Sequence, residues 1–246
     1  MYNTNGIDTL RIPEGVRVVE SSALYNSNCF KKWYFPSTID SIYGNNATYC
    51  YNLQDIRFAG TDNLRYADFS TFATGSTSAP ILSATPANSF CIKDGLALFY
   101  KGTAPQVLDI PEGVKVIGEY AFSPYALNYV KRVRLPSTLK VMNVGFSYLP
   151  SLGCKAIYLK ATTPPVLDEY TFSYMNNKRL ILDCGIDLDA YRAHPIWNKF
   201  DTIVNGSQFI PTVNLASSNG TYEIKEPECG TIRIVDRKST RLNSSH

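Results

Sequence analysis

Short apolar–polar–apolar triplets closed by proline recur along the chain. Leu10-Arg11-Ile12-Pro13 is followed 23 residues later by Trp33-Tyr34-Phe35-Pro36. Leu108-Asp109-Ile110-Pro111 is followed 25 residues later by Val133-Arg134-Leu135-Pro136. Weaker copies at Ile56-Arg57-Phe58, Ile157-Tyr158-Leu159 and Leu180-Ile181-Leu182 keep a step of 23 or 24. Alternation with a period of two predicts a short strand, and proline ends it because it has no N–H to donate to a ladder. Glu-Gly or Ser-Thr then turns the chain, and a second apolar pair follows: Val16 and Val19, Val114 and Ile117, Leu139 and Met142. A small residue and an aromatic close several units: Ala121-Phe122, Gly145-Phe146, Thr171-Phe172. One unit cannot bury its own apolar side. Stacked coils can, in one continuous column.

Residues 70–89 interrupt the pattern with 16 Ser, Thr, Ala, Gly or Pro in 20, which reads as a loop. Phe90–Phe99 then reads as two strands about Asp94-Gly95, a hairpin signal. At the far end, Asp187 or Asp189 can cap a short helix that Pro195 breaks, with Trp197, Phe200 and Ile203 covering the last coil. Beyond Val204, Phe209–Val213, Thr221–Ile224 and Thr231–Val235 are strand-like, the first two split by Asn219-Gly220, as in the start of a second β domain.

Composition agrees with a loop-rich β protein. The 246 residues include 18 Asn, 21 Ser, 19 Thr and 17 Tyr, and only 18% are charged. A net charge of +3 is too small to argue for nucleic acid. Asp236–His246 resembles a translated sequencing adapter. It carries three basic residues and one acidic, so without it the charge is +1. The N-terminus has no signal-peptide pattern. Because Ile7-Leu10-Ile12 is already mid-pattern, upstream residues are expected to be missing. No apolar run reaches 18 residues, so no membrane-spanning helix is expected.

The pattern LxxIxLPxxLxxIxxxAF at about 23 residues, carried best by Leu108–Phe122 and Val130–Phe146, resembles the BspA-type leucine-rich repeat. The resemblance runs from about Ile7 to Val204. Leu24 departs from it, standing where an aromatic is expected. The resemblance implies a β-dominated, right-handed leucine-rich-repeat solenoid of about seven coils with little helix. Tyr191, Trp197, Phe200 and Ile203 match the family's usual terminal stretch. The expected layout is a solenoid over 1–204, with a hairpin insertion at about 61–107 and a cap at about 187–204. A truncated β domain over 205–235 and a non-native tail over 236–246 follow. The family implies a bacterial surface or secreted protein that mediates adhesion or protein–protein contact and is not an enzyme.

Sequence motifs that suggest chemistry have plainer readings. Ser137-Thr138-Leu139-Lys140 matches a Ser/Lys nucleophile motif, yet the same repeat slot reads Ser37-Thr38-Ile39-Asp40. Tyr174–Lys178 matches YxxxK without the glycine-rich turn that dinucleotide chemistry needs. Cys29, Cys50, Cys91, Cys154, Cys184 and Cys229 form no CxxC pair. Core packing is the default for Cys29 and Cys50, and Cys154 with Cys184 is a possible disulfide. His194, without a partner histidine, is expected to be structural. Asn46, Asn205 and Asn219 open glycosylation sequons. Neither a cofactor nor a metal is called for.

The mid-strand residues remain. Arg11, Tyr34, Arg57, Asp109, Arg134, Tyr158 and Ile181 should align in one exposed row, beside Lys32, Asp55, Arg132 and Arg179. Arg and Tyr are the types that dominate interface hot spots. Two readings stand: a cationic, aromatic face for an acidic or glycosylated protein partner, or a solvated strand face. The chain is alternatively a spacer or recognition module of a larger surface protein that handles glycans.

Overall fold

The computed structural model describes residues 8–73, 78–122, 127, 129–143, 154, 156–167, 171–172 and 178–206, with the backbone of 222–224 and 234–236. It is a β-solenoid of about seven turns. Among the described residues each turn contributes a long strand, all but the last two add a short one, and like strands stack in parallel. Thr9–Arg11, Lys32–Phe35 and Asp55–Phe58 form one long-strand sheet. Val107–Asp109, Arg132–Leu135, Ala156–Leu159, Arg179–Leu182 and Thr202–Asn205 form a second. The short strands Val18–Val19, Ser41–Ile42 and Tyr66–Ala67 accompany the first array. Val116–Ile117, Val141–Met142 and Val166–Leu167 accompany the second.

The turn chemistry explains why the coils stack. Glu14 accepts from Ser37 N and Oγ at 3.0 and 3.1 Å, and Glu112 repeats this toward Ser137 at 3.0 and 2.9 Å. Thr38 Oγ1 accepts from Gly15 N and donates to Val16 O; Thr138 does the same with Gly113 and Val114. Gly15 and Gly113 hold φ near +90°, which the turn requires and glycine supplies at low cost. Burial and the Ser137 hydrogen bonds act oppositely on Glu112. The hydrogen bonds, with Lys160, prevail and hold its carboxyl below the usual range.

Two apolar columns replace the single one expected. Trp33, Phe35, Ile56 and Phe58 anchor the first; Val133, Leu135, Ile157, Leu159, Leu180 and Leu182 anchor the second. They meet at an antiparallel hairpin, Ser89–Lys93 and Leu96–Lys101, whose turn residues Asp94 and Gly95 have φ +50° and +90°. Leu96–Tyr100 is buried throughout. Leu96, Leu98 and Phe99 join the first column, whereas Ala97 and Tyr100 join the second. Leu96–Ala97 also pairs in parallel with Val116–Ile117, so the hairpin opens the second array's short-strand sheet. On that sheet Val116 and Val141 face the first column, and Ile117 and Met142 face the second. The first array therefore packs against the outer side of the second array's short strands. Asn143 ties them: its Oδ1 accepts from Ala67 N at 3.2 Å and its Nδ2 donates to Arg65 O at 2.9 Å.

The loop expected over 70–89 holds two short helices, Ser70–Ala73 and Pro80–Ala84. Phe72 and Ile81 pull these onto the first column, and Pro80 opens the second helix, where its missing N–H costs nothing. At the far end, Asp187 caps Leu188–Arg192 by accepting from Asp189 N. The helix stops before Pro195, and Trp197–Lys199 forms a single 3-10 turn. Tyr191 Oη donates to Ala161 O and Trp197 Nε1 to Pro165 O, sealing the last coil. Tyr222–Ile224 pairs antiparallel with Ile234–Asp236. The expected strand Phe209–Val213, the Asn219-Gly220 turn and the tail beyond 236 lie outside the described residues, as does Gly145-Phe146.

Candidate functional site

The mid-strand residues do align, but in two rows. Arg11, Tyr34 and Arg57 are in register on the first sheet. Asp109, Arg134, Tyr158, Ile181 and Val204 are in register on the second. One row of seven does not exist, because the hairpin ends the first sheet at Asp55–Phe58.

Exposure also fails for part of the set. Tyr158 and Ile181 are only 4% and 3% exposed, in a cluster with Ala156 and Val204. An outward-pointing strand position is exposed only if nothing lies over it, and here the outer face is covered. Arg11, Arg57 and Asp109 are exposed, and Tyr34 and Arg134 half-buried.

Charge on the face is largely spent within it. Arg57 Nε pairs with Asp55 at 2.7 Å and its NH1 lies 3.8 Å from Asp94 at the hairpin tip. Lys93 reaches the other Asp55 oxygen at 2.6 Å. Partial burial works to raise the Asp55 carboxyl, and the Lys93 and Arg57 hydrogen bonds outweigh it, leaving it below its ordinary value. Arg134 pairs with Asp109 at 3.3 Å. Arg11 lies over the Tyr34 ring, 4.2 Å from its centre, a cation–π contact. The expected cationic face is thus mixed in charge.

Around the first row the surface is concave. An open groove of about 620 Å³ is lined by Arg11, Tyr34, Arg57, Glu14 and Asp94, with Phe35 and Phe58 at its floor. The repeat supplies the row and the hairpin tip supplies a wall. Phe58 N donates to Asp94 Oδ2 at 2.8 Å and Thr61 Oγ1 to Asp94 O at 3.0 Å, which holds that wall in place. Asp94 and Glu14 were not expected as site residues, and Asp55 was expected only in the neighbouring row. Asp94 stands 36 residues from Phe58, a separation that no repeat period reveals.

The other candidates resolve structurally. Ser137 Oγ bonds Glu112, and Lys140 Nζ pairs with Asp62 at 2.6 Å, so the two ends of the Ser/Lys motif serve separate stacking contacts. His194 Nδ1 accepts from Ile196 N and Trp197 N, and burial lowers its basicity. Cys50, Cys91 and Cys154 are buried free thiols; burial pushes Cys154 up to about 11. Cys29 is free but exposed, against the expectation of core packing. Cys184 is disulfide-bonded while Cys154 is free, so these two do not pair. Asn46, the first sequon, is fully buried, with its amide bonded to Leu24 N, Glu20 O and Tyr43 O. Asn205 likewise donates to Asp183 O and Ile186 O. The sequon at Asn219 and the YxxxK tyrosine lie outside the described residues. Among the described residues, no group of three or more His, Cys, Asp or Glu is placed to hold a metal, and no helix is long and apolar enough to cross a membrane.

Parallel strands of about 23-residue period, two per coil around an apolar column, define a leucine-rich-repeat solenoid. The chain belongs to the BspA type leucine rich repeat family, whose repeat matches in six copies over residues 1–85 and 95–186. Similar solved structures include a leucine-rich repeat protein from Eubacterium ventriosum at 13% identity and TM-score 0.30, over 80% of this chain and 55% of that one. Another from Bacteroides ovatus matches at 14% and 0.30, over 80% and 68%. A leucine rich cell surface protein from Faecalibacterium prausnitzii matches at 15% and 0.28, over 82% and 61%. The chain thus spans little more than half the length of the first. No curated protein matches it.

Proposed function

We propose that the chain is a recognition module of a bacterial surface or secreted protein, and that it holds a protein or glycoprotein ligand in the groove over Arg11, Tyr34 and Arg57. One observation carries this reading. The groove gathers two arginines and a tyrosine, residue types that supply most interface hot spots, onto a rigid strand ladder. A site built on strands loses little entropy on binding. Arg57 faces Asp55 and Asp94, so the ligand must offer both signs of charge, or neutral donors and acceptors, rather than a purely acidic surface. The disulfide-bonded Cys184 suits an oxidising compartment outside the cytoplasm.

The test immobilises a panel of extracellular glycoproteins and measures binding of the wild-type chain and of Arg11→Ala combined with Tyr34→Ala. Loss of binding at an unchanged melting temperature supports the groove. Full binding by the double variant, or no binding to any member of the panel, rejects it.

A further inference from the structure

A second surface lies off the strand face, on the turns that follow the short strands Val18–Val19 and Ser41–Ile42. Tyr25, Tyr49 and Tyr51 stand there with 47%, 43% and 47% of their surface exposed. Their rings meet one another: Tyr25 and Tyr49 edge to face at 5.3 Å, Tyr49 and Tyr51 tilted at 6.0 Å. The result is an aromatic corner spanning two coils.

The backbone shows that this corner is built at a cost. Tyr49 has φ +57°, the left-handed region, in which a bulky side chain is a true outlier. The matching residue one coil earlier is Asn26, also at +57°. Asparagine is the ordinary occupant of that conformation. Tyrosine at this slot pays conformational energy while 43% of its surface remains open to solvent. Strain of this kind collects at binding sites.

The presentation is rigid. Asn26 N donates to Thr48 O at 2.9 Å, and Tyr51 N donates to Asn28 Oδ1 at 2.6 Å. Asn28 Nδ2 donates to Asn26 Oδ1, and Asn52 Nδ2 to Asn28 O. The rings are therefore held before any ligand arrives.

The chemistry of the surface selects a class of ligand. Residues 21–30 and 41–54 contain no Asp, Glu, Lys, Arg or His. A charged ligand finds no counter-charge on either turn. What the surface offers is ring faces, phenol hydroxyls and amides, including the exposed Asn45. Pyranose C–H faces pack on aromatic rings, and sugar hydroxyls pair with amides and phenols. A protein partner would be served better by a broader dry patch than by three rings set among asparagines.

We propose that Tyr25, Tyr49 and Tyr51 form a binding site for an uncharged oligosaccharide of two or three sugar rings, separate from the strand-face groove. The experiment is affinity electrophoresis of the full chain through gels holding mannan, β-1,4-xylan, β-1,3-glucan or starch, with polygalacturonate and heparin as charged controls. Titration calorimetry with the hexaose of any retarding polysaccharide follows. The wild-type chain is expected to be retarded by at least one neutral polysaccharide. Tyr49→Asn should weaken binding by about tenfold or more, the loss of roughly one stacking contact. That variant restores the residue type of the preceding coil, so its melting temperature should hold or rise, which separates lost binding from lost folding. Arg11→Ala with Tyr34→Ala should leave retardation intact, which separates this site from the groove. Retardation by the charged polymers alone, by none of the polymers, or equally for Tyr49→Asn would overturn the proposal. So would capture of a glycoprotein by the Arg11→Ala/Tyr34→Ala variant that persists after the sugars are removed enzymatically.

Discussion

Asn46→Ala tests how the first array is held together. Asn46 is fully buried, and its amide makes three bonds across two coils: Leu24 N to Oδ1 at 2.8 Å, and Nδ2 to Glu20 O at 3.1 Å and to Tyr43 O at 2.5 Å. Truncation leaves one backbone donor and two acceptors unserved. A buried polar group left without a partner costs ~1–3 kcal/mol. Glu20 and Tyr43 are exposed residues, so water recovers part of the loss. A net destabilisation of ~3 kcal/mol is therefore expected for Asn46→Ala. Urea unfolding followed by Trp33 fluorescence is the assay, since Trp33 is fully buried in the same column. Asn46→Asp adds a second arm. Its carboxylate can still accept from Leu24 N but would face two carbonyl oxygens, so the folded state should favour the protonated acid. A folded pKa raised in this way gives stability present at low pH and lost as pH rises through it. Relative to wild type, Asn46→Asp should therefore be least stable at pH 7 and recover toward pH 4, whereas Asn46→Ala should not. A loss below ~1 kcal/mol for Asn46→Ala, or no relative recovery of Asn46→Asp in acid, would refute the bridge.

Leu135→Ala, deep in the second column, should cost ~2–5 kcal/mol through transfer and cavity terms; a melting temperature near wild type would contradict the inward register. Asn143→Leu strands Ala67 N and Arg65 O between the two arrays. Wild type is expected to unfold in one calorimetric transition and Asn143→Leu in two, and a sharp single transition for the variant would show that the columns are coupled by other contacts. The Asp55 carboxyl sits below its ordinary value, so its contribution is complete above about pH 4 and disappears as pH falls through the folded value. Asp55→Asn should thus destabilise at pH 7 and match wild type near pH 2. His194 has a depressed folded value, so protonation favours unfolding below about pH 6.5. His194→Gln should weaken that acid loss, and an unchanged pH profile of the melting temperature would count against it.

Much of this architecture was legible because it is local. Period-two triplets ending in proline mark Lys32–Phe35 and Arg132–Leu135 as strands, since alternation and a missing donor act within a few residues. Asp94-Gly95 marks the hairpin turn for the same reason: its positive φ values are a property of those two residues. Within each array the 23-residue step even predicts which residues share a row, though not where one row ends. An exposed tyrosine corner could also have been sought, because Tyr25 and Tyr49 occupy adjacent slots of successive coils in stretches without charge.

Exposure was not local. Tyr158 and Ile181 occupy the same alternating slot as Tyr34 and Arg57, yet one pair is covered and the other lines a groove. The slot fixes the direction of a side chain, and only distant chain decides what lies over it. Asn46 reads as a surface sequon, but its amide closes a gap between coils. Arg57 reads as a free cation, but Asp55 two residues away pairs with it at 2.7 Å, and Asp94, brought from the hairpin, adds a second carboxylate at 3.8 Å. The sequence alone determined the repeat, its strands, the hairpin turn and the terminal cap, because hydrogen-bond capacity and side-chain period act along the chain. Tertiary structure decided that there are two columns instead of one, which face stays open, and which charges remain unspent. Those outcomes depend on contacts between residues dozens of positions apart, which no repeat period records.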